Sequence, residues 1–146
     1  MIGTENGLDI YSPQTRTFTH YQHDPRNLSS LSNNIVKSIY EDSNKILWIG
    51  TEGGGLDKYV YFINRFPHYQ PDPFHPEGNL NGKYVYSFGE GKENGFWIGT
   101  DKGINRFDAD TEKFSYYTLT SRKPMIKQYN IGALCEDQKG ILWVGT

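Results

Sequence analysis

Apolar positions along this chain alternate in short bursts. Runs such as "IVKSIYE", "ILWIGT", "GLDKYVY" and "FPHY" are four to seven residues long and are divided by Gly, Asn, Asp, Ser and Pro. Alternation of period two over such lengths predicts strands, and no segment sustains a 3.6-residue apolar period. In the middle of the chain the pattern predicts strands at roughly 35–41, 46–51, 55–61 and 65–69. "EDSNKI" and "EDQKGI" form the first hairpin turn, with Asn44 or Gly140 expected at positive φ. "TEGGGL" forms the second turn, and "SPQT" or "DADT" the third. Longer polar stretches at 22–34, 70–83 and 118–130 join one four-strand set to the next.

The set repeats. "LWIGT" at 47–51 returns as "FWIGT" at 96–100 and "LWVGT" at 142–146, and the chain opens on "MIGT". Anchoring on Gly3, Gly50, Gly99 and Gly145 aligns Val36 with Val85 and Ile131, and Glu41 with Glu90 and Glu136. The same frame aligns Tyr11 with Tyr59 and Phe107, and Tyr21 with Tyr69 and Tyr117. The repeat units are 1–48, 49–97 and 98–146 within one domain spanning 1–146. Four short antiparallel strands per ~45 residues is the signature of a β-propeller blade. The expected fold is therefore all-β: a partial β-propeller of four-stranded antiparallel blades, about three blade-equivalents per chain. A lone four-stranded sheet cannot hide both faces, which explains the near-continuous apolar run "ILWIG". Trp48, Trp97 and Trp143 are read as inter-blade core. Gly50, Gly99 and Gly145 are read as points of close backbone approach.

The stretch "NLSSLSNNIVKSIYEDSNKILWIGTEGGGLDKY" resembles the two-component regulator propeller repeat. That pattern runs through a Ser-Leu-Ser-Asn lead-in, an Ile-x-x-Ile-x-Glu-Asp strand, Gly-x-Leu-Trp-Ile-Gly-Thr and Gly-Gly-Leu. The lead-in is clear at Ser30, Leu31, Ser32 and Asn33, is reduced to Asn79, Leu80 and Asn81 in the next unit, and is absent before Asn130. Gly91 stands where Asp42 and Asp137 stand, implying a looser first hairpin, and Lys45 replaces the usual turn glycine. The resemblance implies the periplasmic sensor region of hybrid two-component histidine kinases of Bacteroidetes, anchored in the inner membrane through the rest of the parental kinase. There such repeats build two propellers followed by a β-sandwich, a membrane span and the kinase, and the parent senses glycan fragments. Non-catalytic ligand sensing, with an oligosaccharide as partner, is the function this implies. A purely structural or protein-interaction propeller with no small-ligand site in this fragment remains the alternative.

Composition narrows the chemistry. Formal net charge is −2, from 15 basic and 17 acidic residues, and no basic stripe marks a nucleic-acid partner. No apolar run reaches the ~18 residues of a membrane span, so no direct membrane contact is expected. "MIGTENGLDIYS" lacks the basic start and apolar core of a signal peptide and reads as a cut from a longer protein. His20, His23 and Asp24 invite a metal reading, but alternation points side chains three apart to opposite faces, so no metal and no cofactor are expected. Cys135 is read as a small buried apolar residue. The recurrence of Glu41, Glu90 and Glu136 in every unit argues for structure, since a catalytic acid is unique to one blade. No catalytic residue is assigned. The long loops offer the ligand candidates: His75, Lys83 and Tyr84 in one, Arg122 and Tyr129 in the next.

The chain starts inside a Trp-bearing second strand and stops at the end of that strand three units later. Two chains are expected to complete each other's broken blades as a homo-oligomer, most simply a six-bladed dimer.

Overall fold

The structure is a computed structural model, and it describes residues 1–61, 64–117 and 130–146. Four antiparallel sheets follow one another along the chain, and no helix occurs among the described residues. The first holds three strands, β1 (Ile2–Thr4), β2 (Gly7–Ser12) and β3 (Thr17–Tyr21). The second holds β4 (Val36–Glu41), β5 (Leu47–Thr51), β6 (Leu56–Tyr59) and β7 (His68–Tyr69). The third holds β8 (Val85–Glu90), β9 (Gly95–Thr100), β10 (Gly103–Asp108) and β11 (Lys113–Tyr117). The last is a hairpin of β12 (Ala133–Glu136) and β13 (Leu142–Gly145). Sheets converge through their first strands, with β4 against β8 and β8 against β12, so these line the inner side. This is a partial β-propeller.

The recurring pentapeptide has a separate job for each of its last letters. The threonine closes the following turn: Thr4, Thr51 and Thr100 each donate from Oγ1 to a carbonyl (Gly7, Gly55 and Gly103), at 3.0 Å each time. The glycine admits the next blade. A Cβ on Gly3 would lie 2.5 Å from Val36 Cγ1, and one on Gly50 would lie 2.5 Å from Val85 Cγ1. One on Gly99 would lie 2.7 Å from Ile131 Cγ2. Val36 and Val85 each open the next sheet, and Ile131 stands two residues before β12. At Gly145 the nearest atom is Ala133 Cβ in its own sheet, at 3.2 Å.

The tryptophans fill the seams in decreasing order. Trp48 is 1% exposed and packs on Phe96 and Phe107 of the third sheet, with ring centroids 5.1 and 4.8 Å away. Trp97 is half-buried against the last hairpin and Tyr117. Trp143 is 62% exposed. The expectation that all three are core therefore fails at Trp143, where no further blade stands among the described residues. Cys135 is exposed rather than buried for the same reason, because it lies directly across from Trp143 in the hairpin.

The first hairpins also differ from expectation. Lys45, not Asn44, takes the positive φ (64°), and Gly140 holds the equivalent place (80°). Asp42 organises this turn by accepting from the backbone N–H of Asn44 and Ile46, both at 2.9 Å, while its other oxygen accepts from Trp48 Nε1 at 2.8 Å. Asp137 repeats the set with Lys139, Ile141 and Trp143. Where Gly91 replaces the aspartate, the turn places both Glu93 and Asn94 at positive φ. Trp97 Nε1 there donates across the seam to Glu136 at 2.7 Å.

Candidate functional site

The long loop from the second sheet to the third ends between two turns on one face. Lys83 O accepts from the backbone N–H of Gly53 (3.1 Å) and Gly55 (2.8 Å) in the turn of the second sheet. Tyr84 bonds the turn of the third sheet. Its carbonyl accepts from Asp101 N at 3.1 Å, and its N–H donates to Asp101 Oδ1 at 3.2 Å. Gly55 sits at φ 84°, which the tight "GGGL" reversal needs, and a Cβ there would strike the Tyr69 carbonyl.

Two further side chains reach this place because the inner strands are bulged. The pairing of β4 with β5 shifts between Val36 and Ser38, and that of β8 with β9 shifts between Val85 and Ser87. The residues left over are Lys37 and Tyr86, and a bulge re-aims such a side chain. Lys37 Nζ bonds Glu52 Oε2 at 2.5 Å, and that bond raises the Lys37 pKa. Tyr86 lies nearly parallel to Tyr84, at 20° with ring centroids 6.4 Å apart. Burial chiefly raises the Tyr86 pKa, helped by the negative charges of Asp101 and Glu52. The result is a half-open patch at the inner end of one seam: two phenol rings, an ion pair and a carboxylate. Such a patch stacks the C–H face of a ring and hydrogen-bonds hydroxyls around its edge.

Of the five loop candidates, Lys83 and Tyr84 lie here. His75 does not. The same loop first pairs Gly78 with Phe114 on the outermost strand β11, and His75 sits upstream of that bridge. Its Nδ1 faces Asp72 Oδ2 at 3.0 Å in an exposed local turn. Arg122 and Tyr129 lie outside the described residues. Lys37, Glu52, Tyr86 and Asp101 were not among the sequence candidates. The acids carried a signal, since Glu5, Glu52 and Asp101 each follow the recurring threonine.

Beneath the patch, each lead-in loop is pinned to the third strand of its blade. Asp57 is fully buried, and its Oδ2 accepts from Ser32 N (2.9 Å) and Ser32 Oγ (3.0 Å). Its Oδ1 has no hydrogen-bond partner, with His68 Nε2 at 3.8 Å donating instead to Ser30 O. Burial pushes the Asp57 pKa up to about 7, against the two bonds from Ser32 that lower it. In the third blade Asn105 takes over: its Oδ1 accepts from Asn81 N at 3.0 Å, and its Nδ2 donates to Asn81 Oδ1 at 2.7 Å.

The histidines also have separate partners. His20 Nδ1 meets Asp9 Oδ1 at 2.7 Å, whereas His23 Nδ1 meets Leu31 O at 2.8 Å. His20 and His68 occupy the same blade position, each across from an aspartate, Asp9 or Asp57. Among the described residues no cluster of three His, Cys, Asp or Glu is arranged for a metal ion.

Sheet topology and seam packing define the class as an antiparallel β-propeller built from a repeated four-stranded blade. Residues 30–53 and 126–146 match the family model described as two component regulator propeller. It is similar to the crystal structure of the extracellular domain of BT3049 from B. thetaiotaomicron, assigned as a hybrid two component system. Identity is 27%, the TM-score is 0.82, and the match covers 98% of this chain and 20% of that one. It is also similar to the extracellular domain of BT4673 from B. thetaiotaomicron, assigned as a one component system. Here identity is 25%, the TM-score 0.56 and the coverage 99% and 25%. The chain thus spans about a fifth to a quarter of the structures it matches. No curated relative matches in sequence.

Proposed function

We propose that this chain is part of the extracellular, periplasmic sensor region of a two-component system and binds a carbohydrate-like ligand without transforming it. The observation that carries the reading is the convergence of Tyr84, Tyr86, Lys37, Glu52 and Asp101 at the inner end of one seam. Parallel aromatic faces beside fixed donors and acceptors suit a hydroxyl-rich ring better than an extended peptide or a nucleic acid. Similarity to extracellular domains of sensor systems supports the location and the signalling context. Signalling in this reading comes from a ligand that bridges two turns and a lead-in loop and so biases how adjacent blades sit.

Calorimetric titration of the chain with a panel of neutral and acidic oligosaccharides tests this. Binding of one class, weakened at least tenfold by both Tyr84→Ala and Glu52→Gln, is the expected outcome. Affinity that survives both substitutions removes the site, and hydrolysis or cleavage of a bound sugar removes the non-catalytic reading. A panel with no binder favours the structural or protein-interaction alternative.

A further inference from the structure

A chain of side-chain contacts runs from the buried Asp57 to the turn that carries Glu52. Asp57 Oδ2 meets Ser32 Oγ at 3.0 Å, Ser32 Oγ meets Thr51 Oγ1 at 3.1 Å, and Thr51 Oγ1 meets the Gly55 carbonyl at 3.0 Å. The turn reverses directly over these hydroxyls, since a Cβ on Gly54 would lie 2.4 Å from Ser32 Oγ and 2.7 Å from Thr51 Oγ1. From the same turn the N–H groups of Gly53 and Gly55 hold the Lys83 carbonyl and so place Tyr84.

The number of protons decides how many of these contacts are hydrogen bonds. Each hydroxyl has one to donate, and a carbonyl has none. With Asp57 ionised, Ser32 donates to the carboxylate and Thr51 donates to Gly55 O. The contact between the two hydroxyls is then left without a proton. With Asp57 protonated, the acid donates to Ser32, Ser32 to Thr51 and Thr51 to Gly55 O, so every contact is filled. The third blade makes the same connection without an acid. There Asn81 Oδ1 accepts from Asn105 Nδ2 at 2.7 Å and from Thr100 Oγ1 at 2.9 Å, and neither amide titrates.

The other oxygen of Asp57 also disfavours the ionised form. Oδ1 is buried with no hydrogen-bond partner among the described residues. On β5 the residue across from Asp57 is the uncharged Ile49. On β7 it is His68, whose Nε2 donates to Ser30 O at 2.7 Å and stays 3.8 Å from Oδ1. In the lead-in loop His23 donates from Nδ1 to Leu31 O, and Asp24 is bonded to Arg26. Lys58, next along β6, lies over Trp48 and bonds Glu112. Burial pushes the Asp57 pKa up to about 7, so modest changes of acidity near neutrality move its proton.

We propose that Asp57 is a proton switch for the candidate site: protonated, it completes the hydrogen-bond chain and fixes the 51–55 turn, and ionised, it leaves that turn one hydrogen bond short. The effect on the turn follows from the proton count. Its consequence, weaker ligand binding above neutral pH, rests on the sugar-binding reading given above.

The test is a titration of the ligand-free chain from about pH 5.5 to about 8.5, followed through amide NMR shifts. Ser32, Thr51 and Gly55 should move together with a midpoint of about 7, while Thr100 and Gly103 hold still. Asp57→Asn copies the third blade and should abolish the movement. Ser32→Ala cuts the chain, so the Asp57 carboxyl still titrates while Thr51 and Gly55 no longer follow. Both changes are small, and unshifted resonances from the third blade verify that each variant folds. Static shifts at Thr51 and Gly55 in the wild type overturn the proposal. So does movement that survives Asp57→Asn, which assigns it to His68 or His23, or movement that survives Ser32→Ala. Repeating the oligosaccharide titrations at pH 6 and pH 8 reads the consequence. Affinity should be about fivefold higher at pH 6, with the difference lost in Asp57→Asn. Equal wild-type affinities overturn the coupling to the site. A panel with no binder removes the sugar reading, and the NMR titration still decides the switch.

Discussion

Trp48 and Trp143 sit at the same position of the same hairpin, and each donates its indole N–H to the aspartate six residues earlier. One is 1% exposed and the other 62%. The hairpin is therefore a local product of its own sequence, through the aspartate bonds and a residue at positive φ in the turn. Burial is a product of the neighbouring blade. Each repeat supplies half a seam, and the fold gains its packing energy only where two halves meet, as expected of a chain built from stacked units.

The largest effect that separates the two positions is truncation. Trp48→Ala should cost about 3–5 kcal/mol, since it empties a packed core site. Trp143→Ala in dilute solution should change stability by under about 0.5 kcal/mol, as exposed substitutions do. Urea unfolding of both variants checks this, and equal losses would break the comparison. The glycines come next. Gly99→Ala drives a methyl into Ile131 and Ser87 of the crowded seam and should cost about 2 kcal/mol, whereas Gly145→Ala meets only Ala133 and should be nearly silent.

The smallest effect concerns the paired loop anchors, Asp57 in one blade and Asn105 in the next. Burial holds the Asp57 pKa near 7 in the folded chain, above the ordinary value of 3.8. Between those values the folded chain keeps a proton that the unfolded chain has released. Stability therefore declines as pH rises from about 4 to about 7 and levels off above. Asp57→Asn, which copies the third blade, should raise stability by about 1 kcal/mol at pH 8 and flatten this slope. A pH-stability curve measured for both forms decides it, and an unchanged slope would reject the assignment.

How much of this was readable beforehand depends on whether a feature is local or shared. Strand order within each sheet was legible, because turn residues and alternating apolar positions recur in register. The close approach at Gly50 and Gly99 was legible from the same recurrence. The exposure of Trp143 and Cys135 was not, since nothing in a hairpin's own sequence states whether a neighbour covers it. Lys37 and Tyr86 reach the candidate site only through bulges, which shift pairing by one residue and carry no compositional mark. Glu52 and Asp101 could have been found, because an acid follows the threonine in three units. His75 was chosen for its loop composition, and the structure shows that one loop visits both the outer strand and the inner mouth. The equivalence of His20 and His68 follows from the alignment of Tyr21 with Tyr69, but that each stands across from an aspartate became plain only from register.

The half-seam account rests most directly on burial by a neighbouring blade. Hydrogen exchange resolved by segment measures this. The account predicts slow exchange across β5 (Leu47–Thr51), whose seam is filled, and faster exchange across β13 (Leu142–Gly145), whose Trp143 meets no blade among the described residues. Equal protection of the two strands would contradict it.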